Sequence, residues 1–238
     1  MNTKSIVFLV LSVGCAWGQT RIVPHVTDAN GSFDTFITLQ NTSQEIQNVV
    51  LHGFAADGTP IGDVAIAVPA NETPTYEAHG LFQSAELSHF TITADAKLVV
   101  IAGYRVKIGR GSTAHLLEQN QQTYTYQLMK GDWHEVFDGL AMVNTGTKTA
   151  IIDFYQFNKY GTPINQIQLD YILAPMAKKL YVIGGPAGSF FNVKPDDYFE
   201  IRASQPMAVI ALRGTVAGEP VGLLWSNPLI PINILYPF

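Results

Sequence analysis

The sequence predicts an all-β protein made of two tandem, homologous antiparallel β-sandwich domains. Three observations predict it. Short blocks recur in the same order in the two halves of the chain. Within those blocks apolar residues alternate with period two, which places them on one face of a pleated strand. Turn residues punctuate the chain at about 8–12-residue intervals, and no 3.6-residue apolar period persists long enough for a substantial helix.

The chain of 238 residues is divided as follows. Residues 1–18 read as a secretory signal peptide. Lys4 gives a positive start, residues 6–13 form an apolar stretch too short for the roughly 20 residues of a membrane span, and Ala16-Trp17-Gly18 offers small residues for cleavage before Gln19. Cys15, the only cysteine, lies inside that segment. Gly14-Cys15 has the look of a lipoprotein site, but Ser12 stands where an aliphatic residue is usual. Cleavage after Gly18 leaves a chain without disulfides, stabilised by apolar burial, in a secreted, periplasmic or cell-surface location.

Residues 19–120 form the first repeat and 121–238 the second. Asn41-Thr42 recurs as Asn144-Thr145, Phe54 as Phe157, and Gly58-Thr59-Pro60-Ile61 as Gly161-Thr162-Pro163-Ile164. After an insertion at residues 184–195, Phe90-Thr91-Ile92-Thr93-Ala94 meets Phe199-Glu200-Ile201-Arg202-Ala203, and Val100-Ile101-Ala102 meets Val209-Ile210-Ala211. Ile37 and Leu39 match Leu140 and Met142; Val49 and Leu51 match Ile152 and Phe154; Val64, Ile66 and Val68 match Ile167, Leu169 and Tyr171. The intervening positions vary (Asp63 against Gln166, Thr91 against Glu200), as a solvated face would. Asp57-Gly58-Thr59-Pro60 and its counterpart are turns, with Gly at φ > 0 and Pro opening the next strand. The polar run 118–122 is the expected linker, short enough that the two units touch.

Charged residues make up 14% of the chain, and the net charge is −5. Lys178-Lys179 and residues 105–110 are the nearest approach to a basic cluster, which speaks against a nucleic-acid partner.

Residues 28–34 give the most suggestive local pattern. Asp28, Asn30 and Asp34 place oxygen side chains around Gly31 as a calcium site would, although no downstream Glu completes an EF-hand. The other reading is an Asx turn. No cofactor besides calcium is suggested. The six histidines are scattered without zinc-motif spacing and read as solvated surface residues. There is no nucleophile elbow, and Asp196-Asp197 are adjacent, so on a strand they would point to opposite faces and in a turn both would be solvated. The expectation is that the protein is not an enzyme.

Four aromatics of the second repeat, Tyr155, Tyr160, Tyr181 and Trp133, have no aromatic counterpart in the first and are the candidate ligand-binding residues. Phe54 and Phe157 recur and are expected to cover a sheet edge or the contact between units. Asn30, Asn41 and Asn71 open glycosylation sequons.

The Asn-Thr turns at 41 and 144, with the Phe54 to Pro60 and Phe157 to Pro163 segments, resemble tandem-repeat secreted bacterial proteins of little-known function. The resemblance implies immunoglobulin-like sandwich units and export. Periplasmic pilus chaperones are similar in size, but their two domains are not near-copies of each other. The function expected is that of an exported, non-enzymatic binding, adhesion or cell-envelope structural protein, with a protein or glycan partner. The alternative is a carbohydrate-binding module assisted by calcium, with a hydrolase or a periplasmic chaperone behind it.

Overall fold

A computed structural model describes residues 21–107, 110–111, 113–119, 122–185, 188–189, 191–215, 221–222, 224–227, 229–232 and 234. The expected signal peptide, with Cys15, lies outside them. The described chain is all-β apart from one five-residue helix, α1 (Ala78–Phe82). Among the described residues no helix is long and apolar enough to cross a membrane.

The first half contains β1 (Arg21–Val23), β2 (Phe33–Asn41), β3 (Gln47–Phe54), β4 (Pro60–Val68), β5 (Thr75–Glu77), β6 (His89–Ala94), β7 (Leu98–Val106), β8 (Arg110–Gly111) and β9 (Thr113–Leu117). They form two four-stranded layers, ordered β1-β6-β3-β4 and β5-β2-β7-β9. The period-two alternation does what it predicts: Ile37, Leu39, Val49, Leu51, Ile92 and Val100 meet in one buried cluster between the layers. Among the described residues all pairings are antiparallel except the two-residue β8 contact with the second half.

The second half contains β10 (Thr123–Met129), β11 (Val136–Asn144), β12 (Ala150–Phe157), β13 (Pro163–Leu173), β14 (Lys178–Gly185), β15 (Gly188–Ser189), β16 (Tyr198–Thr215), β17 (Val221–Gly222), β18 (Leu224–Asn227) and β19 (Leu229–Ile232). Strand β16 serves two layers. Its first part pairs with β10 and β12, and its second part with β11 and β18. The layers run β10-β16-β12-β13 and β14-β11-β16-β18. Position for position this is the pairing order of the first half, where a turn at Asp95 separates β6 from β7. An immunoglobulin constant-type order would put the first, second, fourth and fifth strands in one layer; here β1 and β2 lie in opposite layers.

The recurring turn residues have matching physical jobs. Asn41 is buried and its side-chain amide donates to the carbonyls of Glu45, Val68 and Pro69, while its oxygen accepts from the Ser43 N–H. Asn144 is equally buried, donating to Lys148 and Leu173 and accepting from the Gly146 N–H. Each asparagine supplies hydrogen bonds to loop backbone that water cannot reach. Burial also leaves the Asn41 sequon inaccessible. The β3–β4 and β12–β13 turns carry the same two backbone bonds, with Gly58 at φ 90° and Gly161 at φ 78°.

Two expectations about exposure are corrected. Glu200 is buried, paired with Arg202 at 2.7 Å and accepting from Gln127 at 2.8 Å. Asp197 is buried and accepts from the Gln156 amide and the Lys194 N–H. Both carboxylates accept hydrogen bonds from within the fold, which is how a charge is kept inside a sandwich. The linker reading also changes at its start: Glu118 pairs with Arg21, and Gln119 exchanges backbone bonds with Ile22.

Candidate functional site at the junction of the two halves

The two halves meet on the outer face of the β14-β11-β16 layer. That face is apolar: Phe137, Gly139, Ala141 and Val143 alternate on β11, opposite to Leu140 and Met142, which point into the second core. Leu180 and Val182 on β14, and Ala208, Ile210 and Leu212 on β16, extend it. A sheet apolar on both faces must be covered on both. Ile22 packs with Val143, Ala208 and Met176, and Phe137 and Leu212 lean on the core of the first half. The Gln119 amide reaches the Val209 carbonyl.

The loop before β14 docks on the β3–β4 turn. The Lys178 N–H donates to Ala56, and Gly58 lies so close to the Pro175–Ala177 backbone that a β-carbon would collide with it. This docking drives the Lys178 side chain into the junction, where it is 7% exposed. Its ammonium donates to the carbonyls of Ser88 (2.6 Å) and Val26 (3.2 Å) and to His25 Nδ1 (3.3 Å). Burial lowers its pKa to about 7, with the charge of Asp28 pulling weakly the other way.

Two histidines share this space, correcting the expectation of solvated surface residues. His25 is 8% exposed and His89 fully buried. His25 stacks on Tyr104, whose hydroxyl donates to the His25 carbonyl; His89 stacks on Phe54. Burial first, then the Lys178 charge, holds His25 well below the ordinary imidazole range. The same two causes take His89 to about 3, against a weaker pull from the Met176 backbone. Neither His89 nitrogen has a hydrogen bond of normal geometry, nor does Ser88 Oγ. Phe54 thus lies next to the inter-unit contact, whereas Phe157 is buried against Tyr198 within the second half.

Two clefts open beside this cluster and share Leu180. One, of about 240 Å³, is lined by Phe33, Phe137, Leu140, Leu180, Val182 and Leu212, with His25, Thr27 and Tyr181 at its polar positions. The other, of about 660 Å³, is rimmed by Asp28, Asp57, Glu86 and Lys179. Strand β14 runs between them as an edge. It pairs with β11 on one side; on the other, among the described residues, only Gly184 and Gly185 have a strand partner, in β15. Leu180 and Val182 are 57% and 61% exposed. In the first half the corresponding edge strand, β5, has three residues and is followed at once by α1.

The four candidate aromatics do not come together. Tyr155 lies on the outer face of β12, its ring covered by the Arg202 guanidinium at 4.2 Å. Tyr160 stands 80% exposed at the β12–β13 turn. Trp133 stacks on Phe199 and donates to Asp138, a buried carboxylate that also holds Arg213 and the Gly131 N–H. Tyr181 borders the apolar cleft, but its side chain lies on the face of β14 opposite to Leu180 and Val182, packed against the second core; its hydroxyl donates to the Leu169 carbonyl at 2.7 Å, and its pKa is raised to about 12 by burial and then by Asp170.

The 28–34 segment forms the Asx turn. Asp28 Oδ1 accepts from the Asn30 N–H, and Asp34 faces Lys107 at 3.5 Å, a cation already in place. Among the described residues no three His, Cys, Asp or Glu side chains gather as a metal site.

Comparison with known protein families, characterised proteins and solved structures finds no match to this chain.

The junction was missed in the sequence, but a signal for it exists. The runs 139–143 and 206–212 are apolar at consecutive positions, unlike 35–40, where Thr35, Thr38 and Gln40 interrupt. Consecutive apolar residues in a strand mark burial on both faces.

Proposed function

We propose that the chain is an exported, non-enzymatic binding protein of the cell envelope. In this reading two homologous sandwich domains, 19–120 and 121–238, are held together at an apolar junction and offer the groove along β14 to a protein partner. The matching pairing order and the paired Asn41 and Asn144 loops support the duplication. The signal-like residues 1–18 support export.

One observation carries the binding function: Leu180 and Val182 stand exposed beside an apolar cleft, on an edge with no strand partner for them among the described residues. Natural edges are usually shortened or covered, as β5 is, and an open apolar edge marks an interaction surface. The buried carboxylates Asp138, Asp197 and Glu200, in contrast, are all spent on fixed structural partners.

A photo-cross-linking residue at position 182, in cells that make the protein, should give a discrete protein adduct that the same residue at exposed position 46 does not. Equal labelling from both positions, or none from 182, would remove the groove reading. Turnover in a glycosidase or esterase screen would remove the non-enzymatic one.

A further inference from the structure

We infer that β14 binds its partner as an added strand: an extended peptide segment pairs with Leu180 and Val182, placing an apolar side chain in the cleft beside Val182 and a basic one near Asp28, Asp57 and Glu86. The inference rests on the binding reading above and specifies its ligand.

The backbone geometry points the right groups outward. The Ala177 carbonyl accepts from Asn144 on the β11 side, while the Lys178 N–H donates to Ala56 on the opposite side. Along a strand these directions alternate. The regular register from Lys178 to Val182 therefore turns the N–H and C=O of Leu180 and Val182 away from β11. Those groups, unpaired in the described structure, are what an added strand binds, with pockets at alternate positions giving selectivity.

The size of the opening selects the occupant. Ala56 closes it at Lys178, and β15 closes it at Gly184. The five residues between span roughly 16 Å at 3.3 Å per residue. A slot walled at both ends admits a lone extended segment. The β14 edge of a second copy would bring the same two walls with it and meet them head-on.

The linings select the chemistry. The apolar cleft has room for a branched or aromatic side chain, and Gly139 on its floor leaves only ordinary contacts for an added β-carbon. At the other end Asp28, Asp57 and Glu86 line the wider cleft, while the Lys179 ammonium pairs with Asp170 at 3.9 Å and the Lys178 ammonium is turned into the junction. A basic residue two to four positions from the apolar one fits that balance.

The test is selection of a phage-displayed library of random nine-residue peptides on the full protein, followed by a synthetic peptide of the selected sequence. The expected peptides combine an apolar and a basic residue at even spacing, and slow amide exchange at Leu180 and Val182. Val182→Pro removes an outward N–H at an edge position where proline is tolerated, and should weaken binding at least tenfold with an unchanged melting temperature. If that variant melts lower, exchange at the two amides of the unaltered protein decides the matter. Binding lost in Gly139→Leu but intact in Val182→Pro would overturn strand addition while leaving the cleft as a binding site. Failure to select any peptide, or a concentration-dependent dimer that protects the same amides unaided, would overturn the inference.

Discussion

Lys178 makes the junction a source of pH-dependent stability. Its amine has an ordinary pKa of 10.5 and, buried against Ser88 and Val26, one of about 7. Between those values the unfolded chain holds a proton that the folded chain does not. Stability therefore rises with pH through that window, being complete above 10.5 and lost as pH falls to about 7. Between pH 7.5 and 9.5 the linkage integral gives a gain of about 2–3 kcal/mol from this one group. His25 and His89, with depressed pKa values, add the same sign below about pH 6.5 and contribute little in this window. Tyr104, Tyr126 and Tyr181, raised above 10, oppose at its upper end. Lys178→Met keeps all of those and removes only the amine. Urea unfolding followed by tryptophan fluorescence should show a stability difference between pH 7.5 and 9.5 that is larger in the parent than in Lys178→Met by about 2–3 kcal/mol. The level of the variant's stability is a separate matter, since two carbonyls lose a donor. Parallel pH profiles for the two proteins would refute the burial of the Lys178 amine in the junction.

The other predictions concern elements that hold the site. Asn144→Ala strands the Lys148 and Leu173 carbonyls and should cost on the order of 3 kcal/mol by chemical denaturation, with Asn41→Ala similar. Asp138→Ala leaves Arg213 without its buried partner and should cost about 3–5 kcal/mol, with a change in Trp133 fluorescence, whose indole N–H loses its acceptor. Because Asp28 and Asp34 are already engaged by the Asn30 N–H and Lys107, a chelator should leave the melting temperature unchanged, and added calcium should not raise it.

The interior of each half could be read from alternation because one face of each strand is buried and the other is not; Ile37, Leu51 and Ile201 needed only that contrast. The turns could be read because Gly58 and Gly161 take a conformation that favours glycine. Polar burial could not. Glu200 and Asp197 are chemically surface residues, kept inside by partners tens of residues distant, Gln127 and Gln156. Lys178 was visible only as half of a basic pair, because its destination depends on the docking of a loop against Gly58. The β14 edge was hidden for a related reason: whether a strand is interior or terminal in its layer is set by pairing order. Of the candidate aromatics, Tyr181 borders the groove but turns its ring into the second core, while Tyr155, Tyr160 and Trp133 owe their places to Arg202, a turn and Asp138.

The bridge between Ile22 and Gln119 brings together the points where the chain enters and leaves the first half. The Arg21 guanidinium grips Glu118 beside it. For a protein tethered at one end and pulled at the other, the load passes through this clasp rather than through the eight strands looped between. The first half then behaves as slack held in reserve: its sheets feel no tension until the clasp parts, and only then does the chain lengthen.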